Sequence, residues 1–289
     1  MHSQQASVIL DDNNAYKVHY TDWGDSNAKK VLVCVHGLTR NCRDFDYIAK
    51  ELSSSHGYRV LSIDMPGRGR SQYLPDSQMY IYKNYCLVVL ALLNQLKLTS
   101  VDYLGTSMGG ILAIYLSQEN PNLFRNLILN DVGTFLPKDS IARIGRYVRV
   151  YPSFTDVDHA KNYLKVKLAH FGIKNEQDWD YITNHSIHAN DMGELVLDYD
   201  IGITDGLFKF STEVATDIDY SHLWPGVHCE NLLLLRGSKS EVLLHDTALV
   251  MLSTKNNSSF IEFEGVGHAP ALMEEDQIKS VVDWLISKA

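Results

Sequence analysis

Six short apolar runs punctuate the chain: "KVLVCVHG" (30–37), "YRVLSIDMPG" (58–67), "SVDYLGTS" (100–107), "RNLILNDVG" (125–133), "ENLLLLRGS" (230–238) and "SSFIEFEGVGH" (258–268). Each ends in glycine or a polar residue, as strands buried on both faces do when a loop follows their carboxyl end. Between them lie longer stretches with helical spacing. Residues 81–98 place Tyr85, Val88, Val89, Leu92 and Leu96 on one face, and 108–121 runs from a tight turn to a proline stop. Strands alternating with helices predict a mainly parallel sheet with helices on both faces. Ahead of the first run, "ASVILDD" and "KVHYTDWG" read as an antiparallel pair at one edge of it.

The alternation breaks between about Phe135 and Pro225. There "DSIARIGRYVRVYPSF", "DVDHAKNYLKVKLAHFG" and "NEQDWDYITNHSI" read as helices with no strand between them. The expectation is a core built from residues 1–134 and 226–289, with a helical lid, 135–225, inserted after the strand that ends near Asn130. The insertion is rich in aromatic residues, most of which are expected to fill its own interior. Tyr147, Tyr151, Trp179 and Tyr199, with His36 from the core, are the candidates for lining a substrate pocket.

Bulk properties narrow the function classes. A formal net charge of −9 over 289 residues, with no long basic run, argues against nucleic acid as a partner. Four cysteines, Cys34, Cys42, Cys86 and Cys229, lie far apart without CxxC spacing and read as thiols of a reducing compartment. No apolar stretch has the length of a membrane span and the first residues lack the pattern of a signal peptide, so a cytoplasmic protein, a monomer or a homodimer, is expected.

The most informative stretch is "DYLGTSMGGIL" (102–112), where a strand passes through a tight turn into a helix. Its G-x-S-x-G pattern, Gly105, Ser107 and Gly109, stands in the strand–turn–helix setting that presents a serine hydroxyl above a sheet. The small residues leave room for the turn, and the helix starting at Met108 aims backbone N–H groups at charge forming beside Ser107. The stretch lacks the lysine of a phosphate-binding loop. A serine needs a base, and the base needs a carboxylate to orient it. His268, in a glycine-flanked loop after the last apolar run, is the candidate base. Glu241, in the loop after the penultimate run, is the preferred acid; Asp131, at the end of the strand after the serine strand, is the alternative, and Asp246 a remote third. The loop "HGLTRN" (36–41) places the N–H of Leu38 to complete an oxyanion hole with that of Met108.

Taken together, "VHG" (35–37), "DMPGRGRS" (64–71), "GTSMGG" (105–110), "RGSKSE" (236–241) and "GVGHAP" (265–270) resemble, in order and spacing, the motifs of α/β-hydrolase fold enzymes. That group includes esterases, C–C hydrolases, haloperoxidases and epoxide hydrolases. The resemblance covers both core segments and implies Ser107 as nucleophile, His268 as base, Glu241 as acid, and Leu38 and Met108 as oxyanion donors. It also implies loop-bracing roles for Asp64 and Arg68. One departure is visible: the family usually carries aspartate where Glu241 stands. Epoxide hydrolases and haloalkane dehalogenases of this fold use an aspartate nucleophile, so Ser107 points away from both. The expected activity is hydrolysis of an ester, lactone or similar acyl bond of a small-molecule substrate through an acyl-enzyme, without a cofactor. The alternatives are hydrolysis of a carbon–carbon bond next to a ketone, and a small-molecule receptor built on the same scaffold.

Overall fold

The computed structural model describes residues 1–208 and 216–288. Eight strands form one sheet: β1 (His2–Ile9), β2 (Ala15–Trp23), β3 (Lys30–Val35), β4 (Tyr58–Ile63), β5 (Val101–Thr106), β6 (Phe124–Asn130), β7 (Asn231–Gly237) and β8 (Ser258–Phe263). Their order across the sheet is β1-β2-β4-β3-β5-β6-β7-β8. β1 and β2 form an antiparallel pair at one edge, β2 joins β4 antiparallel, and every other pairing is parallel. All six apolar runs of the sequence are the parallel strands. Their composition follows from burial on both faces, clearest in β7, where Leu232, Leu233, Leu234 and Leu235 are all fully buried.

The helices α1 (Asp46–Ser55), α2 (Tyr82–Gln95), α3 (Met108–Glu119), α8 (His245–Ser253) and α9 (Glu275–Ser287) flank the sheet. Two apolar layers result. One holds Val33, Val35, Tyr85, Val88 and Leu112, and the other holds Leu32, Cys34, Ile48, Leu52 and Trp284. α3 approaches the sheet so closely that a Cβ on Gly109 would lie 2.1 Å from the Val35 carbonyl oxygen, and one on Gly105 would lie 2.5 Å from the Gly109 backbone. The glycines of the G-x-S-x-G pattern are thus required by helix-on-sheet contact.

Between β6 and β7 the chain leaves the sheet and builds α4 (Lys138–Val148), α5 (Val157–Lys167), α6 (Glu176–Asn184) and α7 (Ile203–Phe208). Asp156 and Asn175 cap α5 and α6 by accepting from the backbone N–H three residues on, of His159 and Asp178. The expectation of helices alone is corrected here. Residues 153–154, 187–189 and 195–197 form a small antiparallel sheet, in which Leu195 pairs with both Phe154 and Ala189. These strands are two or three residues long, too short for a period to be read from sequence. The segment departs and returns through one more pairing, Leu136 with Ile218 and Phe135 with Asp219. Part of the segment, 209–215, lies outside the described residues. Among the described residues, no helix is long and apolar enough to cross a membrane.

Candidate active site

Parallel register decides which residues meet above the sheet. Thr106, the last residue of β5, pairs with Asn130, the last of β6, so Ser107 and Asp131 leave the sheet side by side. Both sit at positive φ, 50° for Ser107 and 56° for Asp131. For residues other than glycine that conformation costs about 1–3 kcal/mol and persists only where neighbouring contacts hold it. Here the contacts are specific. The Ser107 N–H donates to the Asn130 carbonyl at 3.0 Å, the Ser107 carbonyl accepts from Gly110 and Ile111 as α3 begins, and the Asp131 N–H donates to Leu235 at 2.8 Å.

His268 arrives from the loop after β8 and lies between the two. Its Nδ1 is 2.7 Å from Asp131 Oδ2 and its Nε2 is 2.9 Å from Ser107 Oγ. A carboxylate only accepts, so the proton sits on Nδ1 and the Nε2 lone pair faces the serine hydroxyl. Asp131 is fully buried and also accepts from Ser240 Oγ at 2.7 Å and from the Gly237 N–H at 3.3 Å. The histidine loop is fastened from three directions. The Asn130 amide donates to the Pro270 carbonyl at 3.0 Å. The Gly267 N–H donates to His170 at 2.7 Å, and the Ala271 N–H to Phe171 at 3.1 Å. Gly237 makes the close approach possible, since a Cβ there would lie 2.4 Å from the carbonyls of Val266 and Gly267.

Leu38 and Met108 both face the space around Ser107. The Met108 N–H belongs to the first turn of α3, where backbone donors have no partner within the helix. The loop carrying Leu38 is held from behind: buried Arg68 donates from Nε to the Leu38 carbonyl at 2.8 Å and from Nη1 to Pro66 at 2.7 Å. His36 is fully buried, donating from Nδ1 to the Gly37 carbonyl at 2.6 Å and accepting the Met65 N–H at Nε2 at 3.0 Å. Burial pushes its pKa down to about 4, so it is neutral and structural near pH 7. Asp64 accepts from His19 Nδ1 and the Cys42 N–H, both at 2.7 Å, and from the Arg70 N–H at 3.0 Å. His19, Cys42 and Asp64 form the one group among the described residues with metal-ligand proximity, but these contacts knit it together as a brace.

The serine opens into a cavity of about 170 Å³. Its floor is the core, with Met108, Ile111, Val132 and Val242, and its far wall is the 135–225 segment, with Leu136, Ile141, Ile144, Tyr147, Leu168 and Phe171. The lining is mostly apolar. His170, behind the histidine loop, has its pKa lowered to about 4, by burial first and then by the neighbouring His268 and Arg143.

A family model described as the alpha/beta hydrolase fold matches residues 30–275. The chain belongs to the α/β-hydrolase fold family. The 3-hydroxybutyrate-oligomer hydrolase of Cupriavidus necator is 34% identical to this hydrolase over 268 residues, which cover 91% of this chain and 90% of that protein. A Rickettsia typhi protein solved by X-ray crystallography superposes with a TM-score of 0.91 at 34% identity, covering 100% of this chain and 99% of that one. An alpha/beta hydrolase from Novosphingobium aromaticivorans does so with a TM-score of 0.85 at 27% identity, covering 99% of each chain.

Within this α/β-hydrolase the sequence expectations divide. Ser107 and His268 lie within hydrogen-bond distance, and Leu38 and Met108 line the same cavity. The expectation for the acid is corrected: Glu241 is exposed and pairs with Arg143 of α4, while Asp131 holds the imidazole. The reason is geometric. Glu241 stands four residues beyond the end of β7, and the loop turns through Ser240 so that the serine hydroxyl, and not the glutamate, points at the site. Asp246, the third choice, lies in the first turn of α8 in an exposed position. Of the five pocket candidates only Tyr147 lines the cavity. Tyr151 and Tyr199 stack edge to face at 5.4 Å and donate to the Leu197 and Val148 carbonyls, Trp179 is buried in α6, and His36 lies beneath the loop. Arg40 and Asp44, which sequence reasoning passed over, do line it. Their signal was position, two and six residues beyond Leu38 on the same loop.

Proposed function

We propose that this protein is a serine hydrolase of short-chain esters, with short oligoesters of hydroxy acids as its natural substrate class. Ser107 Oγ attacks the ester carbonyl while His268 Nε2 takes its proton, Asp131 steadies the resulting imidazolium, and the N–H groups of Leu38 and Met108 receive the oxyanion. His268 then protonates the departing alcohol. The same imidazole activates water, which releases the acid from Ser107. In this reading the 135–225 segment is a lid that excludes bulk water and sizes the acyl group.

The observation that carries the proposal is the continuous chain Ser107–His268–Asp131, at 2.9 and 2.7 Å, opening into an apolar cavity. The oligoester class rests on the Cupriavidus relative, which matches along nearly its whole length. A cavity of about 170 Å³ is of the size that takes a benzene-like guest, which favours short acyl groups. The test is turnover of p-nitrophenyl acetate, butyrate, octanoate and laurate and of the 3-hydroxybutyrate dimer, with Ser107→Ala beside the parent. Sustained turnover is expected, falling from butyrate to laurate, with a loss of at least about 10⁴-fold in the variant. Parent-level turnover in Ser107→Ala, or no ester turnover at all, would overturn the assignment.

A further inference from the structure

Arg40 is the one arginine or lysine among the described residues that line the cavity. It is 6% exposed and lines the same cavity as Ser107, with Gly37 near both: a Cβ there would lie 3.9 Å from Arg40 Cγ and 3.9 Å from Ser107 Cβ. The guanidinium is only partly used. Asp44 takes Nε at 3.0 Å and one N–H of Nη2 at 2.6 Å. Ser186 takes one N–H of Nη1 at 2.6 Å, its own hydroxyl proton going to the Ile182 carbonyl. Of the five N–H groups a guanidinium carries, one on each terminal nitrogen is left without an acceptor among the described residues. A planar guanidinium with a free N–H on each terminal nitrogen can donate to the oxygens of a carboxylate.

We propose that Arg40 forms a carboxylate-binding subsite within the cavity, which takes the free acid end of a short hydroxy-acid oligoester; the inference rests on the ester-hydrolase reading above. An apolar cavity strips water from a substrate's carboxylate, and that cost is met only by a buried partner able to hydrogen-bond it. With the acid end on Arg40, the ester bond nearest that end is the one presented to Ser107, so the enzyme trims oligomers from the carboxyl terminus. Asp44 acts in the opposite sense. Its carboxylate compensates Arg40 in the empty site and repels an incoming acid.

The experiment compares kcat/KM for the 3-hydroxybutyrate dimer as the free acid and as its methyl ester. The parent should prefer the acid by at least about tenfold, the range of a charge-assisted bidentate contact. Arg40→Met should bring the ratio towards one. Asp44→Asn should raise it above the parent's, which a merely structural pair would not do, and it supplies the test should Arg40→Met fail to fold. Ser186→Ala, which removes the contact to the 135–225 segment and keeps the charge, should leave the ratio as it is. An acid preference that survives in Arg40→Met, falls in Asp44→Asn, or is missing in the parent overturns the subsite. If the parent cleaves p-nitrophenyl butyrate and the methyl ester without favouring the acid, the subsite alone fails. If it cleaves none of them, the ester-hydrolase reading fails first.

Discussion

At the residue scale, the question is what separates the serine proposed as nucleophile from a serine that merely touches a histidine. Ser3 Oγ lies 2.8 Å from His19 Nε2, and His19 Nδ1 lies 2.7 Å from Asp64, distances that match those at Ser107. Ser3 is the second residue of the edge strand β1, paired with Thr21. Ser107 has strained backbone, a helix N-terminus behind it and an apolar cavity in front. Those surroundings give the hydroxyl somewhere to send negative charge. Asp131→Asn should therefore lower kcat on p-nitrophenyl butyrate by about 10⁴-fold, through loss of the histidine tautomer that faces Ser107. Glu241→Gln should stay within about threefold, since an exposed ion pair is worth little; equal losses in the two variants would contradict the assignment of the acid. Ser107 and His268 were legible because each carries glycines that spell out its turn. Asp131 was visible in sequence but ranked second, because its claim rests on β5 and β6 ending in register, and pairing register is not written in either strand alone.

Elements carry the next layer of information. The parallel strands could be read because double burial demands unbroken apolar runs, and α2 and α3 because their apolar faces recur at helical spacing. The short strands at 153–154, 187–189 and 195–197 could not, being formed by contacts within the 135–225 segment and not by local pattern. α3 packs closely on both β5, through Gly105, and β3, through Gly109. Gly109→Ala would drive a methyl group to 2.1 Å from the Val35 carbonyl, and neither the helix nor the central strand β3 can move without disturbing Ser107. Overpacking of this kind costs about 1–3 kcal/mol, so a lowered Tm in a thermal melt is expected, together with reduced turnover. An unchanged Tm would mean that α3 rides more loosely on the sheet than its glycines indicate.

Over the whole molecule, three histidines, of which His36 is fully buried, set a common response to acid. His36 beneath the Leu38 loop, His170 behind the histidine loop and His185 at the end of α6 each have a pKa lowered to about 4, chiefly by burial. In the unfolded chain each returns to about 6.5, so between those values the unfolded state binds more protons and stability falls as pH falls. Urea midpoints measured from pH 7 down to 4.5 should decrease steadily below about 6.5; a flat profile across that window would show that the imidazoles stay in contact with water. The 135–225 segment raises a different matter. It leaves and rejoins the core at a single two-residue pairing, Leu136 with Ile218 and Phe135 with Asp219, while the sheet runs on from β6 to β7 beneath it. Both ends of the segment thus hang from one hinge-like staple. A relative's segment grafted between Gly133 and Tyr220 would leave Ser107 and Asp131 on their strands, but it must also supply carbonyls where His170 and Phe171 accept from Gly267 and Ala271, so the ceiling of the cavity and the footing of His268 are exchanged together.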